Sequence, residues 1–441
     1  MKVNFADKTV GGFNYELLRG ISLQDVGAAE YGECMDTMDR IKNGDFESWI
    51  QAWSATADRV AKFAQDALRN GDKPSARNAF LKASNYYRMA VFYAHHTDAR
   101  HTLLWKRSKD CFQSMIPLAD HPIESVAVNF EGAKLPAYFV RGGDGKRPTL
   151  IVLGGFDSTM EEAYCWVGAV ATNYGWHCLV FEGPGQWSAL KANPGLIFRS
   201  DYEKPVRAVV DYLFTRQDVD QDKLALIGYS AGGYFAPRAA QGEHRIKACI
   251  PNTLVVDCGE AARAGLKGLH NPVVIDTMFS VLMRISPAAR WGFQHSQWTL
   301  GIQKPHEWPE AYNDFTLKGL EREFQNPMLF LFSEDDIIDA AASTPVIVAG
   351  LLDFILSLPC ERYVHLFTRR EGASSHCQMG GMSYARSTIF QWLDQIICGK
   401  APLIQPEATD QETFVEIFRK YGGGDLAAEK TRKLLDVAHL I

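Results

Sequence analysis

Nothing in this chain marks it for export, for a membrane or for nucleic acid. The first residues, MKVNFADKTVGG, lack the apolar run of a signal peptide. No apolar stretch is long enough to span a bilayer. Acidic residues outnumber basic ones, 52 against 46, for a formal net charge of -6, so the basic face that nucleic-acid binding requires is missing. Runs of like charge, the mark of interaction tails, are missing too. The nine cysteines stand singly, with no C-x-x-C pair to signal a zinc site or a redox dithiol. Most of them lie in apolar runs, which suits reduced, buried thiols. No fixed period repeats along the chain, which argues against a solenoid or a propeller. These absences predict an intracellular, cytoplasmic protein with no metal, membrane or nucleic-acid partner.

What is present is an ordinary globular composition, 46% hydrophobic and 22% charged over 441 residues. That length suits two domains, or one large domain with insertions around a sizeable core. The pattern changes near residue 120. Before it, Trp49, Trp53, Val60, Phe63 and Leu68 follow helical spacing over 45–70, and further helices are predicted over 75–96 and 98–115. After it, short apolar runs alternate with helical stretches. SVAVNF and LPAYFV straddle a turn as a hairpin would. TLIVLGG, HCLVFEGPG, KLALIGYS, MLFLFSEDD and RYVHLFT read as buried strands. Helices are predicted between them, over 161–174, 202–216 and 232–241. Such alternation predicts an α/β fold with a mostly parallel sheet covered on both faces. Residues 257–322, rich in helix formers, Trp and Met, interrupt it and read as a helical cap insertion, or else as a set of ordinary connecting helices. The expected division is a helical N-terminal segment over 1–120, a core over 121–256 and 323–441, and the cap over 257–322.

Gly228-Tyr229-Ser230-Ala231-Gly232-Gly233 carries the pattern G-x-S-x-G. Its context gives the pattern weight. LALI runs into it as a strand and YFAPRAAQ leaves it as a helix, the strand–turn–helix setting of a nucleophile elbow. Glycines are needed there because a Cβ would clash in so tight a turn. Ser230 is therefore the expected nucleophile, and the following helix N-terminus favours developing negative charge.

A serine nucleophile needs a base, and the base needs an orienting carboxylate, in the chain order Ser, acid, His for this kind of fold. His295, His306, His365 and His376 compete. His365 lies inside a strand-like run, and His295 and His306 lie in the cap segment. His376 follows the last of these runs, in the loop EGASSHCQMGG, and is the expected base. The acid should end the strand MLFLFS, where Glu334, Asp335, Asp336 and Asp339 cluster. Spacing from Ser333 favours Asp336, with Asp335 as the alternative. Two backbone N–H groups should form an oxyanion hole. Ala231 supplies one, and Phe156, or else Gly155, the other.

Several stretches then resemble one branch of the α/β hydrolases. They are GGFDSTMEEAY, FEGPGQWSAL, DYEKPV, GYSAGGY and, upstream, KASNYYRMAVFY. They are similar to the fermentation/respiration-switch-like esterase group, and within it to 2,6-dihydroxypseudooxynicotine hydrolase and the fungal polyketide-shortening hydrolases of the yellowish-green pigment type. The resemblance covers about residues 75–400. It implies an α/β-hydrolase fold with a helical N-terminal segment over the active site, a homodimer, and a triad at Ser230, Asp336 and His376. It also implies hydrolysis of a carbon–carbon bond beside a carbonyl in an aromatic ketone or polyketide, with no cofactor. Cleavage of an ester, lactone or thioester is the alternative. Aromatic residues are expected to line the substrate pocket, with Tyr229, Tyr93 and Trp187 foremost, followed by Tyr86, Tyr87, Tyr234 and Trp291. The stretch 342–359 makes the acid-to-histidine spacing longer than the resemblance implies, so an added helix is expected there if Asp336 is the acid.

Overall fold

A computed structural model describes residues 2–4, 9–266, 268–336, 345–401 and 408–441. Asp339 lies outside the described residues. Among them, one sheet runs in the order β1-β2-β4-β3-β5-β6-β7-β8-β9. Its strands are β1 Ile123–Phe130, β2 Ala133–Val140, β3 Arg147–Leu153, β4 His177–Phe181, β5 Val219–Tyr229, β6 Ile246–Asn252, β7 Met328–Ser333, β8 Arg362–Phe367 and β9 His439–Leu440. The pairs β1–β2 and β2–β4 are antiparallel, and every pair from β4 through β3 to β9 is parallel. The β1–β2 hairpin closes on Glu131 and Gly132, both at positive φ (46° and 82°), the backbone that a two-residue hairpin turn demands. The strands β4 and β7 are buried along their whole length, and β3 is buried from Thr149 onward. That explains why they read as unbroken apolar runs rather than alternating ones.

The N-terminal segment folds as helices that start at clear caps. Asp45 accepts the Glu47 N–H at the head of Phe46–Arg69, Asp72 accepts the Ser75 N–H at the head of Lys73–Val91, and Asp98 accepts the Arg100 N–H at the head of Ala99–Met115. Trp49, Trp53, Ala57, Val60 and Ala64 line the buried stripe of the first of these. The short helix Phe13–Ile21, which the sequence pattern did not reveal, packs at the start of the chain. Its residues share a single apolar core with the long N-terminal helices, one face of the sheet and the helix Met382–Cys398. A second core covers the other face. The N-terminal segment is thus built into the body of the molecule.

Between β6 and β7 lie the helices Cys258–Gly265, Pro272–Ile285, Pro287–Thr299 and Trp308–Ala311. Between β7 and β8 lies the helix Pro345–Ser357, which accounts for the long spacing between Asp336 and His376. The helix predicted over 161–174 is present as one continuous helical run, α-helical at Met160–Ala163, π-helical at Tyr164–Gly168, α-helical again at Ala169–Ala171 and 3-10 at Thr172–Tyr174. No helix among the described residues is long and apolar enough to cross a membrane.

Candidate active site

Ser230 sits where β5 ends and the helix Gly232–Gly242 begins. Its φ is +58°, a left-handed conformation that costs a non-glycine residue energy and marks a strained, functional turn. The glycines around it are sterically forced. A Cβ on Gly228 would lie 2.0 Å from the Gly232 carbonyl oxygen, and one on Gly233 would lie 1.7 Å from that of Thr253.

The turn aims the Ser230 hydroxyl at His376. Serine Oγ and His376 Nε2 are 2.9 Å apart. On the far side of the ring, Nδ1 lies 2.8 Å and 3.0 Å from the two carboxylate oxygens of Asp336. Thr253 Oγ1 donates to Asp336 Oδ2 at 2.8 Å, which fixes the carboxylate. The three groups therefore form the chain hydroxyl–imidazole–carboxylate, in which the serine proton can pass to Nε2 while Nδ1–H stays bonded to the acid. Burial opposes a charge on His376, but the Asp336 carboxylate outweighs it, with Cys377 adding to the rise, and holds the imidazole well above its ordinary value.

The rival groups are engaged elsewhere. Asp335 accepts from Ser374 Oγ at 2.7 Å and Arg369 Nε at 2.8 Å. His365 is bonded to the Ile441 carbonyl, and His306 to Asp276 at 2.9 Å. His295 Nε2 donates to the Phe156 carbonyl at 3.0 Å.

The loop after β3 faces the serine from across the site. A Cβ on Gly155 would lie 2.7 Å from Ser230 Cβ and 3.2 Å from Ala231 N, so a bare glycine is what lets the loop come so close. The Gly155 N–H donates to Ser158 Oγ at 2.6 Å. The Phe156 and Ala231 N–H groups have no backbone acceptor among the described residues. The peptide that carries the Phe156 N–H is oriented from its other end, because Gln186 Nε2 donates to the Gly155 carbonyl at 2.9 Å. Gln186 is itself fixed by the Gly183 N–H on its Oε1 at 2.8 Å. Glu182 binds the Met160 N–H at 2.8 Å, and burial pushes its carboxyl up to about 7. The stretches GGFDSTMEE and FEGPGQWS are thus two sides of one hydrogen-bonded structure. Gln186 and Thr253 have no role in the sequence analysis, and His295 enters it only as a rival for the base. Gln186 lies in a quoted motif, but nothing local to His295 or Thr253 signals these contacts.

A cavity of about 930 Å³ opens in front of Ser230 and His376, lined mainly by apolar groups such as Phe156, Phe198, Phe235, Phe315, Val348 and Leu351. Tyr229, Tyr93 and Trp187 do not line it. Successive side chains of a strand point to opposite faces, so Tyr229 turns under the sheet end against Trp166, 5.0 Å between ring centroids. Tyr93 is buried among Phe13, Phe46 and Trp49 and donates to the Gly11 carbonyl. Trp187 stacks on His101 and donates to the Asp157 carbonyl at 2.8 Å. Of the lesser candidates, Tyr86, Tyr87, Tyr234 and Trp291 are buried and likewise absent from the cavity wall.

A mostly parallel sheet with a serine elbow after β5, a carboxylate after β7 and a histidine after β8 is the plan of an α/β hydrolase. No family model matches the chain. It is 31% identical over 412 residues to the hydrolase LUC6 of a Fusarium species, covering 87% of this chain and 96% of that protein. It is 31% identical over 421 residues to the 20-hydroxy-prefusarin hydrolase FUS2 of Gibberella moniliformis, covering 89% and 98%. Among solved structures, 2,6-dihydroxy-pseudo-oxynicotine hydrolase matches with a TM-score of 0.67 at 21% identity, over 87% of this chain and 98% of that one. The chain belongs to the α/β-hydrolase family that includes LUC6 and FUS2, and it is a hydrolase.

Proposed function

We propose that the protein is a serine hydrolase that cleaves a carbon–carbon bond beside a carbonyl in an aromatic ketone or polyketide-like substrate. The observation that carries this reading is the Ser230–His376–Asp336 chain facing a large apolar cavity. A volume of about 930 Å³ is at the upper end for small-molecule sites, and its apolar wall suits an extended, weakly polar substrate. FUS2, which matches nearly the whole chain, is named for hydrolysis of 20-hydroxy-prefusarin, which supports a small-molecule substrate here.

In this mechanism His376 takes the Ser230 proton as Oγ attacks the carbonyl carbon, and Asp336 stabilises the imidazolium. The N–H groups of Ala231 and Phe156 hold the oxyanion. The carbon–carbon bond breaks, its electron pair leaving as an enolate that takes the proton from His376. Water, deprotonated by His376, then attacks the acyl-enzyme and releases the acid. An ester, lactone or thioester would follow the same path with an alcohol or thiol leaving. The reading includes a homodimer, which the family resemblance implies.

The test sets the wild type and Ser230→Ala against an aromatic 1,3-diketone and an aryl ester of similar size, with products followed by mass spectrometry. Cleavage of the diketone by the wild type alone is expected. Cleavage of the ester only would move the enzyme to the esterases, and full activity in Ser230→Ala would remove Ser230 from the mechanism.

A further inference from the structure

The helix Phe13–Ile21 lies far from the elbow in sequence, yet it touches both loops that carry the chemistry. At one end Arg19, buried between the rings of Phe92 and Trp166, places Nη1 2.6 Å from the carboxylate of Asp157, the residue after Phe156. Its Nε and Nη2 take the two oxygens of Glu162 at 2.6 Å and 2.5 Å, on the helix that follows the same loop. At the other end Tyr15 Oη donates to the backbone carbonyl of His376 at 3.2 Å. Just beyond the helix, Ser22 Oγ accepts the Gly380 N–H at 2.7 Å.

Each contact meets a loop that needs holding. The base-bearing loop contains Cys377 and Gln378 in succession at φ +54° and +57°, a conformation that persists only when its surroundings impose it. The Phe156 loop must keep a donor at hydrogen-bond distance from an oxyanion that exists only briefly. A guanidinium fork engaged by two carboxylates is rigid in a way that a lysine would not be.

We propose that the helix Phe13–Ile21 is a clamp that sets the spacing between the oxyanion donor at Phe156 and the base His376, with Arg19 and Tyr15 as positioning residues. The proposal rests on the serine-hydrolase reading above. Neither residue touches the reacting atoms. Each acts through the backbone it holds, and a displacement of about 1 Å at such a site is enough to cost on the order of a hundredfold in rate.

A fluorophosphonate probe tests this without knowledge of the substrate, because its reaction with Ser230 needs both the base and the oxyanion hole. The full-length protein is labelled and followed by mass spectrometry, giving a saturating rate and a half-saturation concentration. Arg19→Lys is expected to lower the saturating rate by about ten- to a hundredfold, and Tyr15→Phe by about three- to tenfold, with half-saturation within about twofold of wild type. Thr56→Val removes a buried hydroxyl in the same N-terminal layer, bonded to Thr37 and Arg40, and touches neither loop. It should label at the wild-type rate. Failure of the wild type to label at Ser230 would overturn the serine-hydrolase reading itself. Wild-type labelling with unchanged rates in both variants would overturn the clamp and leave that reading intact. An equal slowing in Thr56→Val would also overturn it, as a general effect of loosening the layer. If Arg19→Lys does not fold, Tyr15→Phe alone decides the question.

Discussion

His376 is held well above the ordinary histidine value by the Asp336 carboxylate against the opposing effect of burial, and this has a kinetic sign. On the proposed mechanism His376 is the general base and works only when neutral, so activity should rise as pH climbs through the His376 value and be lost below it. The acidic limb of a pH–rate profile should therefore lie above 6.5, the unperturbed value for histidine. In Asp336→Asn the largest raising influence is gone and burial remains, so the limb should move to lower pH. The plateau rate should also drop by about 10⁴-fold, the scale seen when a triad carboxylate is replaced by its amide. Probe labelling measured from pH 5 to 9 on both proteins checks the two expectations together. A limb that stays in place in Asp336→Asn would mean that Asp336 does not set the base. Thr253, which donates to Asp336, belongs to the same account, because it keeps the carboxylate turned toward Nδ1.

The elbow is an element whose parts are set by contact distances. Gly233 opens the helix behind Ser230, and a Cβ there would fall 1.7 Å from the Thr253 carbonyl oxygen, on the chain segment that also aligns Asp336. Backbone cannot yield as a flexible side-chain tip can. Gly233→Ala should therefore destabilise the protein by about 1–3 kcal/mol, the range of an overpacked core, and slow probe labelling even where the protein is fully folded. Normal labelling with normal thermal stability would show that the segment 253–256 has room to shift. This element was legible in the sequence because its pattern is local. A strand, five residues and a helix are contiguous, and chain order then pointed to His376 and Asp336. The parts that were not legible depend on distant partners. Gln186 acts on Gly155, His295 on Phe156 and Arg19 on Asp157, over separations of 31, 139 and 138 residues. Tyr229 was expected at the pocket for its closeness in sequence to Ser230, but strand alternation sends it into the core. The strand Ile246–Asn252 was overlooked because Pro251 and the polar ends of the run mask it, and only the pairing with β5 on one side and β7 on the other makes it a strand.

Across the whole molecule, the N-terminal segment joins the sheet layers through a buried cluster of charge as well as through apolar contact. Arg19 and Arg88 meet Glu16, Glu162 and Asp157, each arginine lying within 3.8 Å of the Glu16 carboxylate. Two cations against three carboxylates leave one negative charge in excess, and buried charge without compensation is strongly disfavoured. The excess falls on Glu16. Burial, with Asp157 nearby and against the pull of Arg19, pushes its carboxyl from 4.5 up to about 8, so at neutral pH it keeps its proton and the cluster is balanced. The consequence for stability follows from the sign of that shift. Between pH 4.5 and about 8 the folded protein holds a proton that the unfolded chain has released, so stability falls as pH rises through this window. Glu16→Gln keeps the shape of the protonated acid and removes the titration. It should melt close to wild type at pH 5 and roughly 2 °C or more above it at pH 9, a shift worth on the order of 1 kcal/mol in a protein of this size. Thermal unfolding at the two pH values decides the matter. An identical difference at both would mean that Glu16 is ionised in the folded state, with its charge compensated inside the cluster.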